Sequence, residues 1–283
     1  MAERGTAVRS APRRQRRRER THVPMRLYDV RVDRVRRLSP RMARITFGGA
    51  DLAGFADDGP DQRMKLFLPA PGQNPEEAPD VPRGDDWYQR WRAMDPAVRP
   101  VMRTYTVRAA RPADAELDVD FVLHGDSGPA SAWAERARPG HRVAIFGAYA
   151  EHHPLPDARW HLIAGDETAL PAIGAIIDGL PSGTPARVFV EVADDAERRH
   201  LTAAPDVDVT WVPRAGAPAG ETSVLLSALR GADMPDDDPY AWVACEASAV
   251  RDIRRHLVGE RGIAKDAITF MGYWRRDGPI DES

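Results

Sequence analysis

The 283-residue chain is 42% hydrophobic and 29% charged, with a formal net charge of −3. That length favours two domains with separate cores, and the small net charge argues against a body built to bind nucleic acid. A lone cysteine, Cys245, excludes an internal disulfide framework and suits a reducing cytoplasm, and no stretch has the apolar length of a membrane span.

Residues 1–24 hold a run of arginines and almost no apolar residues, too little to bury, and read as a disordered basic tail. A twin-arginine export signal needs an apolar segment after the arginines, and none follows. From Met25 to about Gly147 the segments MRLYDVRV, RMARITF, RMKLFLP, VMRTYTVR, ELDVDFVLHG and HRVAIFG are short, rich in β-formers and mostly alternating. Such strands, without long helices between them, predict an antiparallel β-barrel over residues 25–154. A proline-rich loop and a short helix over DWYQRWRAM interrupt the barrel after its third strand. A second helix is predicted over GPASAWAERARPG, with Pro129 in its first turn and Gly140 helping to stop it.

From Trp160 the rhythm changes. WHLIAGD, ARVFVEVAD, VDVTWVP, YAWVACE and AITFMGYW read as strands, separated by helical ETALPAIGAIIDGL, a short helical DAERRHL, TSVLLSALR and EASAVRDIRRHLVGERG. The alternation predicts a doubly wound α/β domain with a parallel sheet over residues 155–283, entered through the linker HHPLPDAR.

Several stretches carry chemistry. In RTYTVR, Arg103, Tyr105 and Val107 share one strand face, and Thr104 and Thr106 share the other. Arg103 can hold a phosphate through two hydrogen bonds. HGDSGPASAW runs from a strand end at His124 through a glycine-rich turn into a helix, where free amides and the helix dipole favour an anion. A diphosphate between that helix start and Arg103 would be neutralised from two sides. Ser127 reads equally as a helix cap. AGDETALPAI lacks G-x-G-x-x-G, yet it sets Asp166, Glu167 and Thr168 at the carboxyl edge of the sheet, facing the ligand crevice. Capping is the alternative for the two carboxylates. Glu191 and Asp194 close the next strand, where a carboxylate favours a ribose hydroxyl, while Arg198 and Arg199 nearby favour a 2′-phosphate. Lysine occurs only at Lys65 and Lys265. Lys65 shares a strand face with Phe67, opposite Met64, Leu66 and Leu68, so packing of that trio turns the ammonium outward.

RTYTVR, DVDFVLHGDSGPASAWAERARPG, AGDETALPAIGAII and the closing GYWRR together resemble the siderophore-interacting proteins, a branch of the ferredoxin-reductase-like flavoproteins. The resemblance runs from roughly Met25 to Arg276. It implies FAD in the barrel, NADH or NADPH on the second domain, and a ferric siderophore as electron acceptor. It implies flavin contacts from Arg103, Thr104, Tyr105, Thr106 and Val107, from Asp120, Val122 and His124, and from Gly128, Pro129, Ala130, Ser131 and Trp133. For His124 a barrel-rim role is the alternative. On the nucleotide side it implies Asp166, Glu167, Thr168 and Ala169, with Cys245 and Glu246 near the nicotinamide or simply in the core. Tyr273 and Trp274 shelter the flavin or pack the last strand, and Lys65 joins a basic pocket for an anionic siderophore. Flavin accepts two electrons and gives one at a time, so no catalytic side chain is required. The expected function is an FAD-dependent ferric-siderophore reductase working in the cytoplasm. The alternatives are a sister reductase with another acceptor, one supplied by ferredoxin, and a siderophore binder without redox chemistry.

Overall fold

The computed structural model describes residues 26–201, 205–221, 223–235, 237–276 and 278; the basic segment 1–24 lies outside the described residues. Seven antiparallel strands form the first sheet: β1 (Leu27–Ser39), β2 (Met42–Gly48), β3 (Arg63–Leu68), β4 (Val101–Thr106), β5 (Ala109–Arg111), β6 (Glu116–Val122) and β7 (Arg142–Tyr149). Their order is β4-β3-β7-β1-β2-β6-β5. Alternation drives the burial. Ala43, Ile45 and Phe47 of β2 enter the inner core, whereas Arg44 on the other face pairs with Asp120. The predicted barrel is an open sheet that curls rather than a closed ring. Its edges β4 and β5 are not neighbours in the ladder, but the curl brings the Tyr105 and Phe121 rings to 4.4 Å between centroids. β5, only three residues long, is too short to register as a period in the sequence. Trp133 of helix α2 (Pro129–Arg136) packs on Phe47 and Phe121 from inside. Helix α1 (Trp87–Ala93) covers the outside, with Trp87 and Trp91 against Phe67.

The second sheet is parallel, in the order β10-β9-β8-β11-β12. Its strands are β8 (Trp160–Asp166), β9 (Ala186–Val192), β10 (Val207–Pro213), β11 (Pro239–Glu246) and β12 (Ile268–Trp274). All seven residues of the central β8 are buried, as a strand covered on both faces must be. Helix α3 (Leu170–Gly179) covers one face through Ile173, Ile176 and Ile177. Helices α4 (Val224–Gly231) and α5 (Ala247–Arg255) cover the other through Leu225, Leu229, Val250 and Ile253. The short helix expected over DAERRHL is a single 3-10 turn, Asp195–Glu197. The Asp194 carboxylate accepts from the Ala196 amide, and such a local bond starts a turn without extending it. Among the described residues no helix is long and apolar enough to cross a membrane.

The two sheets are tied together by polar contacts. Asp61, in the loop before β3, is fully buried. One of its oxygens accepts from the Glu151 and His152 amides at 2.8 and 2.9 Å, and the other accepts from Trp242 Nε1 at 2.8 Å. Arg199 reaches Asp120 across the same interface, and Arg108 reaches Asp178. His152 sits in this junction beside His161 and Tyr240. Burial, followed by repulsion from His161 and His153, pushes its imidazole down from 6.5 to about 3. The unfolded chain therefore takes up a proton that the folded protein refuses, so stability is full above pH 6.5 and falls as pH drops. We expect a loss of about 2 kcal/mol between pH 6.5 and 5, at ~1.4 kcal/mol per unit, and a shallower slope in His152→Gln. Urea titrations at the two pH values measure it; parallel curves for parent and variant would refute it.

Candidate functional site

A cavity of about 1070 Å³ opens between the two sheets. Its barrel side is built by β4, by the end of β6 and by the start of α2. Arg103, Thr104, Tyr105, Thr106, Asp120, Val122, His124, Gly128, Pro129, Ala130 and Ser131 all line it. Val107 and Trp133 do not; both pack into the barrel core. Asp120 meets the cavity, but its carboxylate is taken by Arg44 at 2.7 and 3.0 Å and by Arg199 at 3.2 Å. Burial raises the Tyr105 hydroxyl above its usual range and keeps it neutral.

The start of α2 is uncapped. Gly128 is its N-cap residue, no side chain bonds to the first turn, and Pro129 has no amide hydrogen to offer. The amides of Ala130 and Ser131 thus stand at the cavity wall without a side-chain cap. Ser127 is not the cap that its position suggests. Its hydroxyl donates to the His124 carbonyl at 3.0 Å and meets His124 Nδ1 at 2.6 Å, which holds the turn closed. A Cβ on residue 128 would lie 2.9 Å from the exposed His124 ring, which would have to swing aside to admit it. Arg103 and an uncapped helix start on one cavity wall suit a diphosphate, the central group of FAD.

On the α/β side, Glu167 and Thr168 line the cavity, while Asp166 and Ala169 lie buried behind it. Asp166 does not face the crevice. It accepts from the Thr168 amide and hydroxyl, from the Glu246 amide, and from Trp274 Nε1 at 2.7 Å. Burial and the neighbouring Glu167 charge lift its carboxyl to about 6. The guanidinium beside Glu191 is neither Arg198 nor Arg199 but Arg214, at the end of β10. It bonds both oxygens of Glu167 at 2.6 Å and reaches Glu191 at 3.4 Å. Burial and the nearby Asp166 raise Glu191 to about 7, against the pull of Arg214. Arg198 pairs with exposed Asp195, and Asp194 caps its own turn. Cys245 is core, its thiol pushed up by burial, and Glu246 caps α5; neither lines the cavity. Tyr273 and Trp274 do line it.

Sequence reasoning missed Arg41, Arg63, Tyr149, Arg214 and the 216–219 loop on this wall, and Trp87 and Tyr88 beside Lys65. Only Arg63 carried a usable signal, since it stands two residues before Lys65 on one strand face. Lys65 itself donates to Thr104 Oγ1 at 2.8 Å. Among the described residues no cluster of histidine, cysteine or carboxylate groups could hold a metal ion.

A curled antiparallel sheet followed by a parallel α/β sheet, with a cleft between them, is the fold of the ferredoxin-reductase-like flavoproteins. Residues 31–152 match the siderophore-interacting FAD-binding domain, and residues 158–277 match the siderophore-interacting protein family. The chain belongs to the siderophore-interacting protein family. It is similar to ferric vibriobactin reductase ViuB of Vibrio cholerae, with 34% identity over 256 residues covering 89% of this chain and 91% of that one. The NADPH-dependent ferric-chelate reductase of Escherichia coli is 27% identical over 259 residues, covering 90% and 96%. A siderophore utilization protein from T. fusca superposes with a TM-score of 0.79 at 35% identity, over 90% of this chain and 95% of that one.

Proposed function

We propose that the protein is a cytoplasmic ferric-siderophore reductase, which takes electrons from NADH or NADPH and delivers them to siderophore-bound Fe(III). The observation that carries this reading is the pairing of Arg103 with the uncapped start of α2 on one wall of an interdomain cavity. In this reading Arg103 and the Ala130 and Ser131 amides hold the FAD diphosphate, and Tyr105 and Thr106 line the position of the ring. The turn of Glu167 and Thr168, with the 216–219 loop, shapes the pyridine-nucleotide side. Tyr273 and Trp274 close the cleft between the two and keep water from it. The flavin, when bound, supplies the exchange between a two-electron hydride donor and a one-electron acceptor. One electron on iron(III) weakens its bonds to hard anionic oxygens, so the metal leaves without hydrolysis of its ligand. Relatives whose names describe ferric reductases support the acceptor.

An anaerobic titration tests the reading. The yellow protein should bleach with NADH or NADPH and recover its colour with a ferric siderophore, while an iron(II) chelator traps the product. A protein that takes up no flavin, or whose reduced form ignores every ferric chelate offered, is not this enzyme.

A further inference from the structure

NADH and NADPH differ by one 2′-phosphate, so the choice between them is made where the adenosine ribose is read. In an open α/β sheet that place is the end of the strand after the first turn, here β9. Glu191, second from the end of β9, pairs in register with Asp166 of β8 on one side and Val212 of β10 on the other. Asp166, Glu167 and Glu191 thus stand together at the carboxyl edge of the sheet, and one guanidinium, that of Arg214, is bonded to the last two.

A 2′-phosphate needs positive charge, and the arginines near this edge are engaged elsewhere. Arg198 pairs with Asp195 at 2.7 Å. Arg199 turns to the first domain and bonds Asp120 at 3.2 Å. Residues 200–213, through the whole of β10, contain no lysine or arginine. Arg214 lines the cavity, its side chain only 4% exposed, but it holds both oxygens of Glu167 at 2.6 Å and reaches Glu191. Its Nε is buried with no hydrogen-bond partner among the described residues. One such N–H, on a guanidinium already matched by two carboxylates, suits a ribose hydroxyl but does not neutralise a dianion. To recruit Arg214 fully, a phosphate would have to strip it from Glu167 and Glu191 and leave both acids without their cation. Arg275 and Arg276 line the cavity after β12, three places from β9 in the sheet order, and suit the diphosphate that both coenzymes carry.

We propose that the protein selects NADH over NADPH, with Glu191 and the Arg214–Glu167 pair at the ends of β8, β9 and β10 as the determinants. This rests on the reductase reading above. The edge offers a ribose hydroxyl both acceptors and a donor, while a 2′-phosphate meets three carboxylates against one guanidinium. The selection is made by repulsion of the wrong coenzyme as much as by contacts to the right one.

The test uses FAD-loaded protein under anaerobic conditions, above the raised values of Asp166 and Glu191. Dissociation constants for NADH and NADPH come from saturation of the rate of flavin bleaching. Those for NAD+ and NADP+ come from calorimetry, which needs no turnover. In each pair the coenzyme without the 2′-phosphate should bind tighter by about tenfold or more. Raising the salt from about 0.05 to about 0.3 M should narrow the gap, because screening weakens repulsion, whereas a phosphate held by arginine would lose affinity instead. Glu191→Gln leaves Arg214 its two bonds to Glu167 and should narrow the gap by about threefold to tenfold, chiefly through tighter binding of the phosphorylated coenzyme. Equal affinities, a preference for NADPH, or a gap that widens with salt overturns the proposal, and these parent measurements decide it even without the variant. A flavin-loaded Glu191→Gln protein with the parent's gap overturns the role of Glu191. Bound flavin that neither coenzyme bleaches sinks the reductase reading and the proposal together, whereas bleaching with the wrong preference sinks the proposal alone.

Discussion

Arg103→Ala should purify largely without flavin. The side chain is the cation on β4 that shares a cavity wall with the start of α2, and a charge-assisted pair with phosphate contributes about 1.5–3 kcal/mol. The expected loss of FAD affinity is therefore roughly tenfold to more than a hundredfold. Arg103→Lys keeps the charge but not the two-pronged geometry and should fall between. The ratio of flavin to protein absorbance after desalting, and a calorimetric Kd for added FAD, measure both variants. The thermal midpoint of the flavin-free Arg103→Ala protein should match that of flavin-free parent, because the residue is half-buried at a cavity wall rather than in the core. Parent-like FAD affinity in Arg103→Ala would remove the diphosphate site from its proposed position.

The second large effect is expected at Asp61, far from any reacting atom. Its carboxylate takes three buried hydrogen bonds, two from the linker amides of Glu151 and His152 and one from Trp242 of β11. Alanine leaves all three donors without a partner, and each orphaned buried donor costs about 1–3 kcal/mol. A loss of about 4 kcal/mol or more follows, a large share of the stability of an ordinary domain. Asp61→Asn keeps one accepting oxygen but turns an amide donor toward other donors, so it should lose about half as much. Chemical denaturation followed by tryptophan fluorescence reads the loss. Limited proteolysis should then cut first in the 150–159 linker. An alanine variant as stable as the parent would mean that these bonds are replaced on relaxation.

Much of the fold was legible because its signals are local. Ala43, Ile45 and Phe47 announce a strand with one buried face, and the unbroken burial of β8 follows from the apolar run in WHLIAGD. RTYTVR and HGDSGPASAW could be placed together at the cavity for the same reason, since each motif lies within a few residues of chain. What stayed hidden depends on partners far away in the chain. Asp166 sits where a crevice residue should, but Trp274, 108 positions later, draws it inward. Asp61 looks like an ordinary loop acid until Trp242, 181 positions later, folds onto it. Arg214 could not be matched with Glu167 from spacing alone, because only the parallel order of β8, β9 and β10 brings those strand ends together. At DAERRHL, composition favours a helix, and the Asp194 cap with buried Glu197 overrides it.

In the proposed reading, the bridge from Arg214 to Glu167 and Glu191 has a practical bearing on engineering the coenzyme preference. Three consecutive strand ends share one guanidinium, so a designer who swaps a single acid there for a phosphate-friendly residue also releases a buried cation. Acid and base must be exchanged as a set. Libraries that randomise these three codons jointly should yield soluble variants where one-at-a-time scans return mostly insoluble protein.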